Sequence, residues 1–402
     1  MRARGLPVPE PHSLLYGHIP LMKSLKENLP KDAHDTYVHR KLTMNWQKYF
    51  PRQKECPPTS PDTCFQLIQQ TAQPRHSMFS LNPGFSLKNL PSQTPIMIEE
   101  VDIFAQQLKE QAGQDGTFGD LYNLFDRTVA LTFDIITRVS LDLRVREQTQ
   151  GPTPILKALR ALVGHILRTN LLPQIKSRLQ PDASSEKTVI DLAVKEYKSE
   201  SGNKNRQPSP DFIDTVISQL KLFMLAGHDT TAQAICWVLY EITNGGPFQS
   251  LRLHPLGSTH RRGSRGFSFV CDGTTYPTDD SVIWTSPTAV HLRADLWPQV
   301  MEFLPERFLV AEGHPLHPVK NAWRPFELGN TRCIGEELAM IEMKLVLALT
   351  MRELDFCFDW KGWNTLQRRT APPDSVDGEH IYRVGNGIGS VKDKLPTRIK
   401  LR

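Results

Sequence analysis

The stretch Pro325-Phe326-Glu327-Leu328-Gly329-Asn330-Thr331-Arg332-Cys333-Ile334-Gly335 decides how the 402-residue chain is interpreted. It leads into a predicted amphipathic helix, whose apolar residues recur at steps of three and four positions: Leu338, Ile341, Leu345 and Leu349. Cys333 therefore precedes a helix N-terminus, where the helix dipole and unpaired backbone N–H groups favour a thiolate. Gly329 and Gly335 would let the backbone pass close to a bulky planar ligand. This pattern is typical of a cysteine metal ligand, and the alternative is a small apolar thiol buried before the helix.

Length and composition leave the class of protein open but exclude some functions. A chain of 402 residues can form one large helical domain or roughly two to three average domains. Its apolar content of 39% and charged content of 23% are ordinary for a soluble globular protein. The net charge of +5 is small and the arginines are scattered, so we predict no nucleic-acid partner. A basic face for an acidic redox partner or a membrane surface is equally compatible with this charge.

The six cysteines are far apart in the sequence and include no Cys-x-x-Cys pair. This spacing argues against a zinc site and a disulfide framework, and it favours a reducing compartment. The chain has no run of eighteen or more apolar residues, and its N-terminus lacks the apolar core of a signal peptide. We therefore expect no membrane anchor within this chain.

Residues Asp211 to Asn244 form the longest predicted helix, which would measure about 50 Å. Asp211, which follows a proline, is the expected N-cap, and Gly245-Gly246 is the expected stop. In its middle lies Ala226-Gly227-His228-Asp229-Thr230-Thr231, where a glycine and two threonines weaken an otherwise apolar helix. A polar break in a buried helix is unfavourable, so we interpret this segment as a ligand-binding or functional site.

The rest of the chain alternates predicted helices with turn-rich segments. Helical periodicity covers residues 96–112, 120–141, 154–167 and 186–197, with a short helix at 62–73. Residues 267–284 have the alternation and the Asp272-Gly273 turn of a β-hairpin, whereas the arginine-rich segment 259–266 is interpreted as a solvated loop. Residues 354–360 and 378–401 are expected to be strands of a small C-terminal sheet.

The spacing of the opening stretch, Phe-x-x-Gly-x-x-x-Cys-x-Gly, resembles the haem-binding loop of the cytochrome P450 family. In that family the cysteine thiolate is the axial ligand of the haem iron and pushes electron density toward O–O cleavage. The resemblance implies that Cys333 binds the iron of haem b. It implies further haem contacts from Phe326, Gly329, Arg332 and Gly335. The family usually has a basic residue two positions before the cysteine, where this chain has threonine, and Arg332 stands one position later.

The segment Ala226–Thr231 is similar to the family signature Ala-Gly-x-Asp-Thr-Thr, in which the long helix opens over the haem. By that similarity, Thr230 would hydrogen-bond dioxygen and Asp229 would belong to the proton relay. Ala226 and Gly227 would leave space for oxygen. His228 falls at the variable position of the signature, so it is interpreted as a filler rather than a ligand.

The resemblance implies a mainly α fold with a small β portion, in which a proline-rich arm (1–20) precedes one haem domain (21–402). The implied reaction is monooxygenation: one atom of dioxygen enters an apolar small-molecule substrate and the other leaves as water. Two electrons would come from NADPH through a flavoprotein reductase. The implied location is intracellular, at the cytosolic face of the endoplasmic reticulum. The segment Asn82-Pro83-Gly84-Phe85-Ser86 resembles fungal members.

Spacing between the family landmarks predicts that the N-terminal anchor and internal segments are missing. The helix that contacts the haem propionates, with its tryptophan and arginine, is absent before Asn82, where only Arg75 and His76 offer polar substitutes. Further helices are absent between Asn244 and Leu251. These losses remove helices rather than loops, although loops tolerate deletion better.

A buried ion network is predicted to lack its acid, because Gln249 stands where the family has a glutamate. That glutamate would pair with Arg252 and with Arg307 of Pro305-Glu306-Arg307-Phe308. Two buried arginines facing only a glutamine would destabilise this corner by roughly 3–5 kcal/mol. The alternative function is therefore a non-catalytic, truncated or mispredicted remnant with weak or no haem binding. A third alternative, a structural or regulatory helical protein, explains neither the helix motif nor the cysteine loop.

Overall fold

The computed structural model describes residues 19–49, 82–161, 164–178, 188–200, 209–242, 247–271, 274–329, 332–385 and 388–402. The chain forms two compact units, each assembled from separate stretches of sequence. The first comprises the described parts of Met1–Gln73, Tyr240–Cys333 and Ala371–Lys392, and the second those of Pro74–Leu239, Ile334–Thr370 and Asp393–Arg402. Most of the arm at 1–20 and the predicted helix at 62–73 lie outside the described residues. The single haem domain at 21–402 stays a prediction.

The second unit is mainly helical, and the predicted helices at 96–112, 120–141 and 186–197 are confirmed within a few residues. Its helices are Thr94–Gln111, Leu124–Leu141, Glu147–Gln150, Pro154–Arg160, Gly164–Arg178, Val189–Glu200, most of Pro210–Ile242, Glu336–Thr350 and Trp360–Leu366. Short 3-10 turns lie at Asn82–Phe85 and Leu90–Ser92. The single helix predicted at 154–167 is wrong, because Pro154–Arg160 and Gly164–Arg178 are separate helices.

The helix Leu124–Leu141 supplies much of the core of this unit. Leu131, Ile135 and Val139, which recur at steps of four residues, have no exposed surface. Burying each such side chain contributes about 1.5–3 kcal/mol. The helix packs against Thr94–Gln111, which in turn contacts Glu336–Thr350.

The long helix, Pro210–Ile242, starts at a different cap from the predicted one. The Ser209 hydroxyl accepts the backbone N–H of Phe212 at 3.2 Å, so serine caps the helix and a proline occupies its first position. The prediction of Asp211 as N-cap is therefore wrong; it lies in the first turn, where the helix dipole favours a carboxylate. The helix is continuous through the polar segment Ala226–Thr231, so the opening that the family signature implies is not present in its backbone. The predicted stop at 245–246 lies outside the described residues.

The helix after the cysteine, Glu336–Thr350, is confirmed, but its buried face is rotated from the predicted stripe. Leu338 is buried, whereas Ile341, Leu345 and Leu349 are only half-buried. The buried stripe runs instead through Leu338, Ala339, Glu342, Met343, Val346 and Thr350. This helix carries apolar residues of its own on nearly every face, so the period of its apolar residues alone does not determine which face is buried.

The first unit combines short helices with small antiparallel sheets. Its helices are Ile19–Lys26, Thr36–Met44, Trp46–Tyr49, Pro247–Leu253 and Pro287–His291, with a 3-10 turn at Pro305–Phe308. Its strand pairs are Ser268–Cys271 with Thr274–Pro277, Thr259–Arg262 with Val282–Thr285, and Arg383–Val384 with Ser390–Val391. The hairpin predicted at 267–284 is confirmed in its strands, and its predicted turn, Asp272-Gly273, lies outside the described residues. The solvated loop predicted at 259–266 is wrong for Thr259–Arg262, which pairs with Val282–Thr285 as a strand, and is confirmed for residues 263–266.

In the second unit, Pro396–Leu401 is the central strand of a three-stranded antiparallel sheet, flanked by Tyr122–Asn123 and Leu354–Phe358. A 3-10 turn at Lys392–Lys394 precedes it. The C-terminal strands predicted at 354–360 and within 378–401 are thus confirmed. Among the described residues the sheets are small and helices predominate, which confirms the mainly α class with a small β portion.

Candidate functional site

The cysteine loop, Pro325–Gly335, is closed by hydrogen bonds between its own backbone groups. The N–H of Cys333 donates to the carbonyl of Phe326 at 2.8 Å, and the N–H of Arg332 donates to that of Gly329 at 3.0 Å. Gly329 has a φ of 68°, a left-handed conformation that glycine adopts without strain. The thiol of Cys333 is exposed, and the next helix begins at Glu336. The alternative of a thiol buried before the helix is therefore wrong.

The start of the cysteine loop is fixed by a buried ion pair. Arg324 and Glu327, which are 1% and 4% exposed, form this pair, with a 3.0 Å bond from Arg324 Nε to Glu327 Oε2. The other carboxylate oxygen of Glu327 accepts the hydroxyls of Thr285 at 2.6 Å and Thr259 at 3.2 Å. Glu327 itself has a φ of 59°, an unusual conformation for a residue with a side chain. A buried carboxylate with this many partners holds the backbone before the cysteine in one conformation.

The motif on the long helix keeps its helical backbone because its polar side chains bond locally. The Thr230 hydroxyl donates to the carbonyl of Ala226 at 2.7 Å, four residues earlier in the same helix. Thr230 and Asp229 are partly exposed, and Ala226 is exposed. One turn before them, Leu222 and Leu225 are 46% and 36% exposed. These residues recur at steps of three and four, so an apolar, exposed face leads up to the Thr230 hydroxyl.

The helix Leu124–Leu141 determines where the motif lies within the second unit. A Cβ added at Gly227 would lie 2.9 Å from Cγ1 of Ile136, so glycine is required for the close approach of the two helices. The hydroxyl of Thr132 donates across the same contact to the carbonyl of His228 at 2.8 Å. These contacts support a role for Gly227 in the close packing of the two helices. Its role in leaving space for oxygen stays a prediction.

His228, interpreted from the sequence as a filler, has specific contacts. It has no exposed surface, its Nδ1–H donates to the carbonyl of Met224 at 2.6 Å, and its ring lies edge-on to Phe133. Its Nε2 lies 3.3 Å from Oδ1 of Asp229. Burial lowers the pKa of His228, while the neighbouring Asp229 carboxylate opposes this shift. A neutral imidazole therefore lies beside the carboxylate to which the proton relay was assigned.

At the arginine corner, the hydrogen-bond acceptors among the described residues are an amide oxygen and backbone carbonyls. Arg252, Arg307 and Gln249 have no exposed surface. Arg252 Nε donates to Gln249 Oε1 at 3.1 Å, and its other nitrogens donate to the carbonyls of His291, Val300 and Glu302. Arg307 bonds the carbonyls of Pro298 and Gln299, while its Nε and Nη1 have no acceptor within the described structure. Burial, and then the charge of Arg307, lower the pKa of Arg252 to about 9.

Glu342, in the helix after the cysteine, was missed by the sequence reasoning. It is 1% exposed, and its Oε2 has no hydrogen-bond partner in the described part of the chain. Burial raises the pKa of Glu342 well above its ordinary value.

Comparisons with known proteins identify the family. The family model described as Cytochrome P450 matches residues 75–245 and 250–367. Cytochrome P450 monooxygenase polC of Polytolypa hystricis is 28% identical over 508 aligned positions, which cover 100% of this chain and 90% of that relative. Cytochrome P450 monooxygenase acrF of Aspergillus aculeatus is 24% identical and covers 78% of this chain and 79% of its own length. Cytochrome P450 monooxygenase PC-23 of Penicillium crustosum is 37% identical over 157 positions, 38% of this chain and 73% of that relative.

The chain belongs to the cytochrome P450 family, and by this resemblance it is an oxidoreductase. The alignment with polC is longer than the 402 residues of this chain, so that relative has residues opposite gaps in this sequence. The family match is itself interrupted between residues 245 and 250, immediately before Arg252.

The family implies haem iron as cofactor, and the described residues fit that group. An exposed cysteine thiol before a helix N-terminus is the soft, anionic donor that haem iron takes. The exposed apolar face of Leu222, Leu225 and Ala226 has the chemistry of a surface for an apolar macrocycle or substrate. These two features belong to different compact units. Arg332 is exposed, and its contact with a haem propionate stays a prediction.

Proposed function

We propose that this protein is a haem-thiolate monooxygenase that inserts one atom of dioxygen into an apolar organic substrate. The observation that carries the proposal is the exposed thiol of Cys333 on a loop that hydrogen bonds hold ahead of a helix. The fungal relatives bear the name monooxygenase, which supports the same reaction. The electrons would come from NADPH through a flavoprotein reductase.

In this proposal each site residue has a separate role. Cys333 would hold haem b as the thiolate ligand, and the haem, when bound, would supply the activation of dioxygen. Thr230 would hold a proton at Oγ1, a group already positioned by its bond to the carbonyl of Ala226. Asp229, whose side chain is 37% exposed, would take protons from solvent at its carboxylate and pass them toward Thr230. Gly227 would keep the helix close to its neighbour, so that both groups stay in place.

The apolar face before the motif supports the choice of substrate class. Leu222 and Leu225 are exposed on the face that leads to Thr230, and an apolar substrate would cover them. Within the described residues, no helix is both long and apolar enough to span a bilayer. The cytosolic face of the endoplasmic reticulum remains the proposed location, by resemblance to the family.

Haem ligation can be tested with the full chain and a matched cysteine control. The chain is expressed with haem supplied, reduced and exposed to carbon monoxide, and the difference spectrum is recorded. We expect a Soret band of thiolate ligation that disappears in Cys333→Ala and persists in Cys357→Ala, which removes a half-buried thiol from the strand Leu354–Phe358. Absence of retained haem in the unmodified chain would contradict the proposal for this chain.

A non-catalytic remnant of the family is the second candidate, and one specific observation favours it. Among the described residues no hydrogen bond joins the buried Arg252 or Arg307 to a carboxylate, and the family match is interrupted just before Arg252. Sequencing the transcript across residues 244–251 and 79–82 distinguishes the two. Additional coding sequence at both points would show that the full protein contains the segments predicted to be missing. A transcript identical to this sequence, in a protein that oxidises substrate, would exclude the remnant.

A further inference from the structure

His291 lies between the buried arginine corner and the start of the cysteine loop. It has no exposed surface, and each of its ring nitrogens has a backbone partner. Nδ1 lies 3.0 Å from the carbonyl oxygen of Arg252, and Nε2 lies 2.9 Å from the backbone nitrogen of Arg324. Since the Arg324 amide can only donate, Nε2 accepts, and Nδ1–H must be the donor to Arg252.

The surroundings keep the His291 ring neutral and immobile. Its edge faces Trp297, whose indole N–H donates to the carbonyl of Val290 at 3.1 Å. The carbonyl of His291 in turn accepts a bond from Arg252 at 2.8 Å, so the two residues are joined by reciprocal hydrogen bonds. A protonated ring would lose its acceptor and place a third charge beside Arg252 and Arg324. Burial, and then the charge of Arg252, lower the pKa of His291 to about 3.

We propose that His291 is a positioning residue for the haem-thiolate loop, because it holds the Arg324 amide and thereby the backbone that leads to Cys333. The connection from this amide to the cysteine is short. Arg324 pairs with Glu327 across the first turn of the loop. Phe326, between these two residues, supplies the carbonyl to which the N–H of Cys333 donates.

Loss of the His291 hydrogen bonds should loosen the cysteine loop. In His291→Phe the ring keeps its approximate shape, but the Arg324 N–H and the Arg252 carbonyl lose their imidazole partners. Glutamine has one acceptor and one donor at a similar reach, so His291→Gln can restore both bonds. The pair of variants therefore separates hydrogen bonding from packing.

The test is amide hydrogen exchange in the full chain, measured by mass spectrometry of the peptides that cover residues 324–333. In His291→Phe we expect these amides to exchange at least about tenfold faster, a factor that corresponds to about 1.4 kcal/mol of opening free energy. His291→Gln should recover most of the protection. Val38→Ala is the control, because Val38 is buried in a separate cluster of the same unit, with Leu21, Leu25 and Tyr49. It should leave exchange at 324–333 unchanged.

The role of His291 in haem ligation rests on the proposed function, but hydrogen exchange in the haem-free chain tests its effect on the loop without haem. Unchanged protection in His291→Phe, or equal loosening in His291→Gln and His291→Phe, would overturn it. With haem supplied, we expect the fraction of thiolate-ligated haem to fall in His291→Phe and to recover in His291→Gln. Failure of the unmodified chain to bind haem would contradict the proposed function while leaving the exchange result to decide the role of His291.

Discussion

Replacing Gln249 with glutamate should stabilise the first unit, because it supplies the charge that the arginine corner lacks. Gln249 already accepts the Nε–H of Arg252 at 3.1 Å through its side-chain oxygen, so a carboxylate of the same length needs no new backbone conformation. Arg252 and Arg307 have no exposed surface, and Arg307 has two buried nitrogens without an acceptor among the described residues. The new carboxylate would face the Arg252 cation directly and weaken the repulsion between Arg252 and Arg307.

The magnitude follows from one gain and one loss. Leaving a buried charge without its partner costs about 3–5 kcal/mol, which is the upper limit of what the carboxylate can recover. Against it stands the bond from Gln249 Nε2 to the carbonyl of Glu302 at 2.8 Å, which a carboxylate cannot donate; its loss costs about 1–3 kcal/mol. The Glu302 carbonyl retains a weaker contact from Arg252 Nη2 at 3.4 Å, which places the loss at the low end. We expect Gln249→Glu to raise the free energy of unfolding by about 2 kcal/mol.

Urea denaturation of the full chain, followed by circular dichroism, measures this change. Gln249→Met is the matched control: it keeps the length of the side chain, removes both hydrogen bonds and adds no charge, so it should lower stability. In an Arg307→Met background the gain from Gln249→Glu should shrink, because part of the coupling is with the second arginine. An unfolding free energy that stays the same or falls in Gln249→Glu would refute the interpretation of this corner as an ion network without its acid.

Two further predictions concern the long helix and its neighbour. If haem is retained, Thr230→Ala should divert reducing equivalents to hydrogen peroxide, because the hydroxyl proposed to hold the proton is lost. The peroxide formed per NADPH oxidised should rise several-fold in Thr230→Ala and return to the original level in Thr230→Ser. Unchanged coupling in Thr230→Ala would remove this residue from the mechanism. Asp134 is 1% exposed and accepts the backbone N–H groups of Glu147 at 2.7 Å and Gln148 at 3.0 Å, and burial raises its pKa to about 6. Because the folded-state pKa of Asp134 is raised, the contribution of this carboxyl to stability falls as pH rises from about 4 through 6. In urea denaturation, the stability of Asp134→Asn relative to the unmodified chain should therefore improve by about 2 kcal/mol between pH 4.5 and 7.5. A difference between the two proteins that does not depend on pH would contradict the raised pKa.

The parts of the fold that local sequence determines were the predictable parts. The long helix was predicted within two residues at each described end, because its length and apolar content are evident from the sequence. Its cap was not, since Ser209, Pro210 and Asp211 are all favourable near a helix start and only the Ser209–Phe212 hydrogen bond distinguishes them. The strand Thr259–Arg262 was missed for a related reason: its arginines indicate solvent, and only pairing with Val282–Thr285 makes it a strand.

The candidate site shows the same limit. The cysteine loop was predictable from spacing, because Gly329 and Cys333 have roles that depend on their own backbone and on the next helix. His228, His291 and Glu342 were not predictable in this way, because their roles come from residues distant in sequence. His291, for example, contacts Arg252 and Arg324, which lie 39 and 33 positions away. For a single buried histidine, no period or spacing in the sequence distinguishes a residue that hydrogen-bonds two backbone segments from one that only fills space.

Two buried groups without partners in the described part of the chain bear on the prediction that internal segments are missing. Deleting a surface loop leaves core charges with their partners, because those partners lie on other core elements. This chain instead keeps the buried Arg307 with two nitrogens lacking acceptors in the first unit, and the buried Glu342 with one oxygen lacking a donor in the second. The family match is interrupted at residues 246–249, which include Gln249, and the relative polC has residues opposite gaps in this chain. Because Gln249→Glu supplies an acceptor for the arginines and no donor for Glu342, it should recover only part of the stability that the predicted missing core segments would provide.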